Sequence, residues 1–167
     1  MTLRSIKILV LLMVGVFCLI GAVFNLTSME GDLAWVSLVV IGDGATGVAD
    51  WQKIEAPWVV TICWAVIPLS KTLAGLLCLM GAGKMWSARH ADASSFQGAK
   101  YVGLVGCGVM LAMLFGVFIL IAETWFQQWQ TPLGAGILGA AERYIVCIGV
   151  ITFFVYLPDD ESRTSVY

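Results

Sequence analysis

The sequence predicts an all-α membrane protein with four transmembrane helices, both termini cytoplasmic, and a structured outer loop between helices 1 and 2. Three observations carry this. Of the 167 residues, 60% are hydrophobic and only 12% charged, too little charge to cover a soluble domain. The apolar residues fall into four blocks near the roughly 20 residues that a bilayer-crossing helix needs. None of the blocks shows the alternating period of a barrel strand, so they are helices. Mean hydropathy is +0.92.

The first span is expected at about 8–26, after Arg4 and Lys7. It imitates a signal peptide, but the apolar run is long for one and lacks an A-x-A cleavage site. Phe17 before Cys18 also spoils a lipoprotein site. The outer loop, 27–57, is too apolar for a disordered connector. Within it "LAWVSLVV" reads as a short strand or an interfacial helix, and "GDGATG" as a turn. "ADWQKIEAPW" reads as amphipathic, with Trp51, Ile54 and Trp58 on one side, re-entering the bilayer at Pro57. Asp43 and Asp50 flank the glycine turn but lack the ligand spacing of a calcium loop. Trp35, Asp43, Trp51 and Ile54 are the candidates for gripping a partner from outside.

Span two, about 58–81, holds Pro68 and Lys71. The proline removes a backbone hydrogen bond and should kink the helix. A cytoplasmic loop, 82–101, leads to span three at about 102–122; span four follows at about 137–157, and a cytoplasmic tail at 158–167. Orientation comes from the basic residues. Arg4 and Lys7, then Lys84, Arg89 and Lys100, flank the spans on one side, whereas Lys53 stands alone among five acids in the first loop. By the positive-inside rule the termini face the cytoplasm. Trp58, Trp86, Trp125, Trp129 and Tyr101 lie near span ends, as an aromatic belt requires.

Cys18, Cys63, Cys78, Cys107 and Cys147 all fall inside expected spans and form no C-x-x-C pair. They read as small packing residues rather than a disulfide or thiol-redox system. A single histidine, His90, excludes bis-histidine haem and multi-histidine metal centres within this chain. Net charge −2 with no basic patch gives no sign of nucleic acid. No cofactor, metal site or catalytic constellation is expected: there is no nucleophile–base pair and no phosphate loop.

Charged residues inside the slab are the main candidates for function. Lys71 lies 13 residues beyond Trp58, about 20 Å along a helix. Glu142 and Arg143 are drawn below the interface, because the apolar stretch after them is too short to cross alone. Glu123 is the expected partner of Arg143, and Lys71 that of Glu142. The functional reading is a cation or proton path. The sparse polar lining favours instead an ion network that sets helix register. Small residues give a complementary signal: Gly108, Ala112 and Gly116 on span three, and Gly136 and Ala140 on span four, recur at the spacing of a packing ridge. Gly15, Gly21, Gly75 and the Gly81–Gly83 pair add further close-contact sites.

Asn25 closing span one, Trp35–Val36, Asp43, Trp51 with Ile54, Pro57, the "ERY" at Glu142–Tyr144 and the acidic tail from Asp159 to Glu161 together resemble a bacterial family of predicted small integral membrane proteins, a four-span domain of unknown function. The resemblance covers nearly the whole chain and implies the fold, without an activity. Lys71 stands where that family leads one to expect an acidic residue. The expected role is a non-catalytic accessory or structural subunit of a larger bacterial inner-membrane complex of energy-transducing type, with membrane lipids and other membrane subunits as partners. The alternative is a small oligomeric transporter or channel using Lys71 and Glu142.

Overall fold

The computed structural model describes residues 3–159; the expected tail lies outside them beyond Asp159. Six α-helices follow in order: α1 (Leu3–Thr27), α2 (Met29–Ile41), α3 (Pro57–Ser87), α4 (Ala93–Ala99), α5 (Tyr101–Met113) and α6 (Pro132–Tyr156). The α5 helix runs on without a break as a π-helical segment, Leu114–Trp125. No strand occurs among the described residues.

Among the described residues, four stretches are long and apolar enough to span a membrane: Leu3–Thr27, Pro57–Ser87, Ala93–Trp125 and Pro132–Tyr156. The four expected spans fall in these same stretches, whose helices run on past the apolar slab that hydropathy marks. The α6 helix begins at Pro132 rather than near 137. Its start is dictated locally. The Thr131 hydroxyl accepts from the Gly134 amide at 2.9 Å, and Pro132 occupies the first helical position. A Cβ on Gly134 would collide with the Gln128 carbonyl, so only glycine permits this turn.

The "LAWVSLVV" stretch belongs to a helix, α2, which ends where Gly42 turns left-handed at φ 68°. In the turn that follows, Thr46 and Gln130 exchange hydrogen bonds in both directions, at 2.9 and 3.1 Å. These tie the 28–56 segment to the α5–α6 connection. The expected single apolar side of the next stretch divides. Ile54 is half-buried, its amide bonded to the Val40 carbonyl at 2.8 Å. Trp51 is 75% exposed and meets Trp125 edge-on.

The spans pack around α3, which lies between α1 and α5, while α6 closes against the π-helical segment and α1. Backbones approach closely where Gly81 faces Gly103: a Cβ on Gly81 would collide with the Gly103 backbone, and one on Gly103 with the Leu11 side chain. Gly106 lies against the Ala74 carbonyl and Cys78, and Gly75 against Leu19 and the Gly15 carbonyl. The expected ridges are not these contacts. A Cβ on Gly108, Gly116 or Gly136 would meet nothing within 4 Å. The α5 helix turns Gly103, Gly106, Cys107 and Met110 inward, which rotates Gly108 and Ala112 to the outside. Cys18, Cys78 and Cys107 are buried, the last two with their sulfurs 3.8 Å apart; Cys147 is exposed.

At the end of the bundle carrying the termini, two fully buried lysines hold the exit of α6. Lys7 and Lys100 donate to the Asp159 carboxylate at 3.1 and 2.5 Å and to the Leu157 carbonyl at 2.6 and 2.8 Å. They satisfy the free carbonyl end of the helix and complement its negative pole. Arg4 closes the same end by donating to the Ala91 carbonyl at 2.6 Å and lying over the Phe96 ring.

Two outcomes follow. Gly81→Ala should destabilise the detergent-solubilised protein by about 1–3 kcal/mol through overpacking, whereas Gly108→Ala should leave the thermal unfolding midpoint unchanged. Burial alone would raise the Asp159 carboxyl, but hydrogen bonds and charge from Lys100 and Lys7 outweigh it and hold the group below its ordinary value of 3.8. A depressed folded value gives stability that is complete above the unfolded value and lost as pH falls through the folded one. Hydrogen exchange at the last turn of α6 should therefore accelerate below about pH 4 in wild type, with no such dependence in Asp159→Asn.

Candidate functional site

Asn25 lies in the last turn of α1 and Asp32 in the first turn of α2, joined by a bend at Ser28. Lys71 reaches them from α3. Its ammonium donates to the Asn25 Oδ1 at 2.5 Å, and the Asn25 Nδ2 donates to the Asp32 carboxylate at 2.6 Å. An amide both accepts and donates, so one asparagine couples a cation to an anion that do not touch. Helical side chains tilt toward their helix N-terminus. For α3 that direction is toward the 28–56 segment, so Lys71 reaches up to the α1–α2 junction. The Lys71 side chain passes Gly21 at ordinary contact distance, 3.5 Å from where a Cβ would stand.

Beside this relay lies a cavity of about 570 Å³ bounded by α1, α2, α3, the α5 helix with its π-helical segment, and α6. Aliphatic side chains and five aromatic ones form its walls: Trp35 stacks on Phe118 with centroids 6.3 Å apart, and Phe17 meets Tyr144 edge-on at 4.9 Å. Phe118 belongs to the π-helical segment, whose wider turn is an arrangement that recurs at functional sites. Gly136 and Ala140, expected in a packing ridge, line this cavity instead.

Lys71, Glu123, Glu142 and Arg143 are not brought together. Ion pairs among the described residues are Lys7–Asp159, Lys100–Asp159 and Lys53–Asp50. Lys71 is engaged by Asn25 rather than Glu142. Glu123 is half-buried, and its Oε2 has no hydrogen-bond partner. The expected Glu123–Arg143 pair fails on depth. Glu123 lies two residues from the end of its segment, about 3 Å along the axis, whereas Arg143 is 11 residues into α6, about 17 Å. The earlier start of α6 moved Arg143 away. Glu142 and Arg143 are both exposed.

Of the residues expected to meet a partner, Asp43 and Trp51 are exposed, while Trp35 forms cavity wall and Ile54 is half-buried. Asn25 and Asp32 are functional candidates that the sequence reading did not join. The available signal was an asparagine at the end of an apolar span, with an acid 7 residues later.

The family model described as "Predicted small integral membrane protein (DUF2165)" matches residues 3–158. The chain belongs to this family. The match runs through all four spans. Comparisons with curated proteins and with solved structures gave no match.

The relay makes a distinct energetic prediction. Asn25→Leu should cost about 1.5–3 kcal/mol, the range for hydrogen bonds to charged groups, because it leaves both ions without their bridge. In a double-mutant cycle, Lys71→Met with Asp32→Asn should be less destabilising than the sum of the single changes, by about 0.5–3 kcal/mol. Strict additivity by denaturation in detergent would show that the relay does not couple them.

Proposed function

We infer that the chain is a non-catalytic subunit of a larger membrane assembly and that α6 is the helix by which it holds its partner. The observation that carries this is the exposure of Glu142 and Arg143 near the middle of a membrane span. Their depth has an internal marker. The next residue, Tyr144, contacts Phe17, which lies 10 residues below the end of α1, about 15 Å. Facing lipid there costs about 2.5–3.5 kcal/mol for an arginine. A second chain covering that face removes the cost by pairing each charge.

Coverage along the helices supports the same face. In its most apolar window α6 is 17% buried, against 33–39% for the other three spans. The outward Gly108 and Ala112 on α5 offer a second surface where a helix can approach closely. Membrane lipids cover the remainder. The lysine and arginine distribution supports cytoplasmic termini, and the absence of a nucleophile–base pair in the sequence supports a role without catalysis.

The test is extraction in a mild detergent followed by native mass measurement. Wild type should run with another membrane protein, and Glu142→Gln with Arg143→Met should release a folded monomer. Wild type running alone, as a monomer or a homo-oligomer, would overturn the assignment. Purified protein in liposomes should pass no ions; flux abolished by Lys71→Met with assembly intact would establish a transporter instead.

A further inference from the structure

We propose that the cavity beside the relay binds a membrane quinone: a planar, uncharged ring carrying carbonyl oxygens, with an apolar tail left in the bilayer. The cavity's volume of about 570 Å³ lies within the roughly 300–1,000 Å³ of small-molecule sites. It opens sideways. Ile20 and Phe24 on its α1 edge and Gly136 on its α6 edge are exposed, and all three belong to membrane spans. A ligand entering there comes from the lipid, so it is itself lipid-soluble.

The polar end of the cavity selects the head. The Lys71 ammonium has three N–H groups and one hydrogen-bond partner among the described residues, Asn25. Its remaining donors suit an acceptor. Its charge is already balanced through Asn25 by Asp32. A carboxylate or phosphate head would therefore leave a net negative charge in a low-dielectric site, which is costly. A cationic head would meet the ammonium. An uncharged carbonyl satisfies the donors and preserves neutrality. The walls then specify shape: Phe17, Phe24, Trp35, Phe118 and Tyr144 surround the space, and aromatic faces favour a flat conjugated ring over a branched glycerol ester.

This site is separable from the proposed partner face. Of its two charges, Glu142 is two residues beyond Ala140, about 200° around the helix and away from the cavity, whereas Arg143 is seven beyond Gly136 and on its side, so Glu142→Gln alone separates assembly from quinone binding.

The experiment is a titration of purified protein in detergent micelles with a short-tailed benzoquinone, following tryptophan emission. Saturable quenching is expected, with its amplitude reduced in Trp35→Phe. Lys71→Met should weaken binding at least tenfold. Gly136→Leu, which enters open space beside the cavity, should abolish binding while circular dichroism and thermal unfolding stay as in wild type. This variant carries the test if Lys71→Met fails to fold. Dodecanoate should not compete with wild type but should compete once Asp32→Asn removes the balancing charge. Displacement of the quinone by phosphatidylcholine would assign the site to lipid ester carbonyls and overturn the proposal. So would quenching that never saturates, or that is unchanged in folded Gly136→Leu.

Discussion

Hydrocarbon offers no hydrogen bonds, so each polar group carried below the membrane surface needs a partner supplied by protein. The architecture follows from where this chain meets that demand. At the end carrying the termini, Lys7 and Lys100 converge on Leu157 and Asp159. At the opposite end, Lys71 is bridged through Asn25 to Asp32. Between them the helices meet through glycines, where contact is close and makes no polar demand. The fold is two polar clamps joined by a middle held by shape.

This division explains the cavity. Glycine contacts draw α1, α3 and α5 tightly together over the half of the bundle that holds Gly15, Gly75, Gly81, Gly103 and Gly106. Toward the other end the α5 helix becomes π-helical from Leu114 onward, and its wider turn presents large side chains in place of glycines. Leu114 and Phe118 there line an opening, with α2 covering it through Trp35. The space thus arises where the packing changes from backbone contact to aromatic contact. The relay stands beside it because the bend at Ser28 brings Asn25 and Asp32 together.

Helix existence was legible because hydropathy measures the same slab that the helices cross. Which face each helix turns inward was not. Spacing of i and i+4 shows that Gly108, Ala112 and Gly116 share a side, but it cannot show which side meets a neighbour. Gly103 and Gly106, offset on the same helix, took that role. The ion partners failed for a related reason. Pairing Glu123 with Arg143 required both to lie at one depth, and a five-residue error in the start of α6 was enough to separate them. Lys7 and Lys100 entered the reading only as topology signals, since nothing local reveals that residues about 150 and 57 positions apart from Leu157 converge there. Asn25 was visible as the end of a span, but its bridging role depends on α2 being a helix, where "LAWVSLVV" left a strand open.

α6 is constrained differently from the other spans. Its beginning is fixed by the Thr131 cap and the glycine turn against Gln128, and its end by the two lysines. Side-to-side burial is meanwhile the least of the four. A helix pinned at both ends keeps its place with few lateral contacts, because terminal anchors remove the tilting and sliding that packing would otherwise prevent. Its middle can therefore carry Glu142 and Arg143 outward without the chain depending on them for its own fold. Charges that no intramolecular contact requires, at a depth where lipid penalises them, are consistent with a role between chains. The same economy leaves Gly136 and Ala140 free to line the cavity, on the side of the helix away from Glu142. Anchoring α6 by its ends is what frees its middle from holding the bundle together.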